Sequence, residues 1–298
     1  MKNAEFYSKI LGLALCLFFI LTGINSPMTE FIIFGGILLS IGIPHGAIDH
    51  LTSDPKLSKK SFSKFLSIYL SLIVVYSGIW YLFPLFALVI FLLFSAYHFG
   101  QTHYLQQTDT ATWKEFLLYL SKGSFFLSVI LFGSFEETQF ILSSIVSIGF
   151  LENFQFHIIL FFLLAILFSQ FLGHVSFKKS DILELTLLPI LLYYSPLFIS
   201  FAVYFGFWHS LPSMISEYTY LSKFPAYSSL KKFIAQLLPF SLISVVGIVL
   251  ILFFGLRSLE VAELTLLFFI MISVISFPHI IYMDRFFRKI SKTDPYSA

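Results

Sequence analysis

Charge is scarce in this chain. Asp, Glu, Lys and Arg make up 11% of its 298 residues, where ordinary soluble domains carry about a quarter. That shortage excludes an ordinary soluble domain with a single anchor. The 58% hydrophobic content and mean hydropathy of +0.90 read instead as an all-α, polytopic transmembrane helical bundle. Charge of one sign is also lacking, since the net charge is only +2. The basic residues therefore read as topology signals rather than as a surface for nucleic acid. Cysteine is nearly absent. Cys16 is the only one, which rules out a disulfide framework, a thiolate zinc site and a cysteine-held iron–sulfur cluster. Repeats and a separate soluble domain are missing too, so the expected organisation is one integral membrane domain over 1–298.

Phenylalanine, by contrast, is abundant, with 40 copies beside 15 tyrosines, as expected of lipid-facing bulk and interfacial belts. Apolar runs of near-spanning length fall at about 6–24, 30–51, 65–83, 85–105, 115–133, 154–175, 181–195, 197–215, 233–255 and 260–283. The seventh is short. The stretch 137–151 reads as an interfacial or re-entrant piece. The first run follows Lys2 and Lys9 but has no small-residue cleavage site, and Asn25-Ser26-Pro27 reads as a turn. It is therefore expected to be a retained helix. With ten spans, sixteen of the 18 basic residues fall on one side. The exceptions are Arg257 and the intramembrane Lys122. The positive-inside rule then puts both termini in the cytoplasm of a multi-pass protein of the cell's inner membrane.

Four of the eight histidines line up on that topology. His45, His98, His209 and His279 lie in spans two, four, eight and ten, all running outside to inside. Each sits about five to eight residues from the inner boundary, roughly 8–12 Å at helical rise. An imidazole in hydrocarbon is costly unless paired or bound, and four at one depth predict a buried metal. Imidazoles without thiolate suit iron, copper or zinc, and spacing does not choose among them.

Several neighbours are candidates to support such a site. Asp49 lies four residues after His45, a helical spacing at which it reads either as the group that orients that ring or as a carboxylate at the inner boundary. Gln101 shares a face with His98. Asp284 follows His279 by five residues, so it reads either as a support or as a charge at the interface beside Arg285. His50 and His103 read as interfacial, and His157 and His174 as structural. Glu184, one turn into the seventh run, has no assigned role. Tyr97, Phe99, Tyr204, Phe205 and Trp208 surround the central histidines and are the expected walls for an apolar substrate. Pro44 and Pro278 each precede a histidine, where a kink opens room beside the ring.

The motifs Pro44-His45-Gly46-x-x-Asp49, Tyr97-His98-Phe99-Gly100, Tyr204-Phe205-x-x-Trp208-His209-Ser210 and Pro278-His279 with an acidic residue beyond resemble those of the bacteriorhodopsin-related-protein-like family of membrane β-carotene 15,15′-dioxygenases. The resemblance runs from about 44 to 284. It implies a non-haem Fe(2+) enzyme that cleaves β-carotene centrally with O₂ to give two retinal molecules, with membrane lipid around it and a rhodopsin as a recipient of retinal. It implies His45, His98, His209 and His279 as iron ligands, with no catalytic residue beyond them. Many members carry a further histidine where this chain has Ser213, which leaves His279 as the substitute. Three rivals stay open at this stage. The first is a di-iron desaturase or hydroxylase, although no two histidines are closer than five residues. The second is a proton-coupled transporter with the His and Asp residues as a relay. The third is a haem protein with two axial histidines.

Overall fold

The computed structural model describes residues 2–24, 26–104, 112–176 and 178–293. The predicted turn residue Asn25, the end of the fourth run at 105 and the chain beyond 293 lie outside them. Among the described residues every regular element is helical. In chain order these are α1 (Lys2–Thr22), α2 (Pro27–Ile37), α3 (Asp49–Ser53), α4 (Lys59–Leu82), α5 (Pro84–Thr102), α6 (Thr112–Gly133), α7 (Phe135–Leu142), α8 (Gln155–Gly173), α9 (Lys179–Tyr194), α10 (Leu197–Val203), α11 (Leu211–Leu221), α12 (Leu230–Gly255) and α13 (Val261–Thr293). Short polar or proline signals set their starts. Ser26, Ser58 and Ser229 each accept a backbone N–H from the first turn of α2, α4 and α12, the usual device for an orphaned helix donor. Gly23, at φ 62°, ends α1 in a left-handed turn that glycine adopts without strain.

Nine helical stretches are long and apolar enough to cross a membrane among the described residues, and this is a polytopic all-α membrane protein. The seventh expected run, 181–195, is α9, and it is not among these nine. Its 16 residues reach about 24 Å at 1.5 Å per residue, short of a hydrocarbon core of about 30 Å. The stretch 137–151, expected to be interfacial or re-entrant, falls in the short helix α7 and a 3₁₀ turn at Gly149–Phe154. Large apolar side chains such as Val74, Phe168, Leu242, Ile243 and Val249 are exposed, as lipid-facing surfaces require.

The chain divides into two compact units interleaved along the sequence. One comprises 1–42, 95–140 and 147–212, the other 43–94, 141–146 and 213–298. In the first unit α5 and α6 approach very closely. A Cβ on Gly100 would overlap the carbonyl of Tyr119, and one on Gly123 would overlap that of Ala96. Small residues permit this backbone contact, and His98 lies midway between Ala96 and Gly100. The same unit holds two π-helical segments, Leu38–Gly42 and Tyr204–Ser210. They pack glycine-first, Gly42 against Phe205 and Gly206 against Ile37. In the second unit Tyr76 stacks on Phe277 at 4.4 Å, and Trp80 donates to Ser273 at 2.8 Å, which ties α4 to α13.

Candidate functional site

In the second unit the backbone around His45 is not α-helical. A 3₁₀ turn covers Pro44–Gly46, and the α-helix restarts only at Asp49. The α-helical spacing of four expected from His45 to Asp49 is therefore not kept here. Asp49 bonds His279: Nδ1 of His279 lies 3.0 Å from both carboxylate oxygens. Tyr69 donates a further hydrogen bond to Asp49 at 3.3 Å. A carboxylate facing Nδ1 places the ring proton there, so His279 presents the lone pair of Nε2. That nitrogen lies 3.1 Å from Nε2 of His45, with the rings edge to face. Gly46 makes room, since a Cβ there would lie 3.1 Å from Nδ1 of His279.

In the first unit His98 and His209 are the neighbouring pair, with ring centroids 4.5 Å apart. Nδ1 of His98 lies 3.3 Å from Oε1 of Gln101. The Gln101 amide nitrogen in turn donates to the Tyr97 hydroxyl at 3.3 Å. This chain orients the amide so that its oxygen meets the ring, which again leaves Nε2 of His98 as the lone-pair nitrogen. Phe99 and Phe205 flank His209 at 4.6 and 5.5 Å. All four histidines are buried.

Other sequence-predicted residues lie elsewhere. Asp284 accepts from Arg288 at 2.9 Å one turn along α13, a partly exposed ion pair. Of the two read as interfacial, His50 is buried and the side chain of His103 is almost wholly so. His50 packs against Phe62, Phe65 and Phe240, while His103 lies between Glu184 and Tyr204. His174 caps α8 in a left-handed conformation. Tyr204 and Trp208 are fully or almost fully buried, and their polar atoms turn to His103 and Glu184.

Two polar residues of the second unit escaped the sequence reading. Tyr69 carries no local signal, because its partner Asp49 lies in a different helix. Glu217 is completely buried, and neither carboxylate oxygen has a hydrogen-bond partner among the described residues. The expected span ended at 215, whereas the helix continues to Leu221 and carries Glu217 inside. An acidic residue within an apolar stretch was the available signal.

Fold and side chains together define a multi-pass helical membrane protein with buried imidazoles whose tautomers are set by a carboxylate in one unit and an amide in the other. The family follows from the sequence: the profile of the beta-carotene 15,15'-dioxygenases matches residues 37–287, and the chain belongs to that family. The Beta-carotene 15,15'-dioxygenase of uncultured marine bacterium 66A03 is 27% identical over 260 residues, covering 85% of this chain and 92% of that protein. No solved structure matches the chain.

Proposed function

We propose that this protein is a non-haem iron dioxygenase that cleaves β-carotene at the central 15,15′ double bond with O₂, giving two molecules of all-trans-retinal. The observation that carries this reading is the convergence of Nε2 of His45 and Nε2 of His279 at 3.1 Å, with the second ring held from behind by Asp49. Two buried imidazole nitrogens that meet this closely could both ligate one metal ion. A carboxylate behind a ligating imidazole is the usual support for such a site. The unpartnered carboxylate of Glu217 fits a nearby cation better than a packing role, because a buried acid without partners is costly.

The proposed ligands are His45, His98, His209 and His279, on the strength of their matched depth in the sequence. They would hold iron(II), which when bound would supply the O₂ chemistry. Asp49 and Tyr69 hold the tautomer of His279, and Gln101 holds that of His98. Phe99, Phe205 and Tyr97 are the apolar walls for the polyene, which enters from the surrounding lipid. A rhodopsin is a recipient for the product. Both termini face the cytoplasm of the inner membrane if α9 crosses as the seventh of ten spans. Its exposed Ile182, Leu183, Leu187 and Ile190 suit lipid contact.

Expression in cells that make β-carotene tests the class. Loss of orange colour with retinal in the extract is the expected result. Persistent colour with abundant membrane protein, and no stoichiometric iron after purification, would favour the transporter reading.

A further inference from the structure

Glu184, which has no evident role in the sequence, is the centre of a largely buried network in the first unit. Its Oε1 accepts from Lys9 and from the indole nitrogen of Trp208, both at 3.2 Å. Its Oε2 lies 3.0 Å from Nδ1 of His103 and 4.0 Å from the Lys122 ammonium. Nε2 of His103 lies 3.1 Å from the Tyr204 hydroxyl. A carboxylate at Nδ1 puts the imidazole proton on that side, so Nε2 is the acceptor and Tyr204 the donor. Both nitrogens of His103 are thus engaged within the network.

The two ends of this network converge on one segment. Tyr204 and Trp208 both belong to the π-helical stretch Tyr204–Ser210, and His209 is the next residue. A π-helix is a poorly favoured, wide turn that persists where surrounding contacts impose it, and it is frequent at functional sites. Trp208 is tied to Glu184 directly, and Tyr204 through His103. We propose that Glu184 is a positioning residue: its carboxylate clamps Tyr204 and Trp208, holds the π-helical turn open and thereby sets the direction of His209. An isolated buried charge would be expensive in the membrane, and Lys9 and Lys122 compensate this one. The inference rests on His209 acting at the metal, as proposed above, but the clamp itself is readable without that assumption.

Glu184→Gln keeps the shape and presents an amide NH₂ to His103 or to Trp208, where a donor already stands. The direct readout is the ultraviolet resonance Raman band that reports indole N–H hydrogen bonding, assigned by difference against Trp208→Phe among the three tryptophans. The expected result is a shift of that band to a weaker hydrogen bond, with bound iron within twofold of wild type. Central cleavage should fall about 10–100-fold, as small misplacements of reacting groups do, with a rise in unequal-length apocarotenals. Trp208→Phe should give the same product shift, and the double variant should be no worse than either single one, the signature of residues acting as one unit. An unchanged Trp208 band in Glu184→Gln would overturn the clamp. So would additive losses, or a lowered thermal midpoint with wild-type product ratios. If wild-type protein yields no retinal, the dioxygenase reading fails, while the Raman band still decides whether Glu184 holds Trp208.

Discussion

Gly100→Ala tests how the first unit positions His98. A Cβ at Gly100 would lie 2.8 Å from Cα of Tyr119 and overlap that residue's carbonyl group. Carbon–carbon contacts settle at about 3.5–4.0 Å, so α5 and α6 must separate by roughly 1 Å. Both partners are backbone, which cannot swing aside like the end of a side chain. Overpacking of this kind costs about 1–3 kcal/mol, and a displacement of about 1 Å near the reacting groups costs on the order of 100-fold in rate. Gly123→Ala is the reciprocal experiment, because its Cβ would lie 2.9 Å from Cα of Ala96, two residues before His98. Gly78 and Gly247 are the controls, since nothing lies within 4 Å of a Cβ at either position. There the helix propensity of alanine favours the change by up to about 1 kcal/mol. Retinal formed per unit of purified protein, with the thermal midpoint in detergent, reads both effects. Gly100→Ala and Gly123→Ala should lose activity and stability, and the controls should lose neither. Wild-type rate and midpoint in Gly100→Ala would refute the argument that this helix contact sets His98.

Replacing His45, His98, His209 or His279 singly with alanine should abolish cleavage and lower bound iron while the protein still accumulates; full activity in His279→Ala would remove that ring from the ligand set. Asp49→Asn can offer an amide N–H to Nδ1 of His279 and turn the ring proton toward Nε2, so metal affinity or activity should fall about 10–100-fold. Wild-type iron and rate in that variant would leave Asp49 as a packing residue. Glu217→Gln should reduce bound iron, and undiminished iron with a raised thermal midpoint would identify Glu217 as a merely unsatisfied carboxyl. Reporter fusions after Ala298 and within the 53–62 loop should both report cytoplasmic; a periplasmic signal from the first alone would mean that α9 does not cross.

What the sequence makes legible here is set by how far apart partners lie and by which helical period holds between them. The four histidines stand out because an imidazole in an apolar run is anomalous wherever it occurs, and the runs themselves follow from hydropathy alone. Asp49 shows where such reasoning breaks. The spacing of four assumes an α-helix from His45 to Asp49, yet the chain passes through a π segment at Leu38–Gly42 and a 3₁₀ turn at Pro44–Gly46 before the α-helix restarts. The carboxylate consequently serves His279, 230 residues on. Nothing in a propensity scale marks a π turn, because its extra residue per turn is imposed by packing such as that of Gly42 on Phe205. Glu184 fails for a second reason. Its partners lie 175, 81 and 24 residues away, and a lone acid in a short apolar run reads equally well as a solvated end. In a membrane protein that ambiguity carries its own information. An ionisable group inside an apolar helix must find a partner, so each unexplained charge in such a run marks a contact to be sought. In this chain both unexplained acids have left solvent, Glu217 completely and Glu184 to a side-chain exposure of 15%.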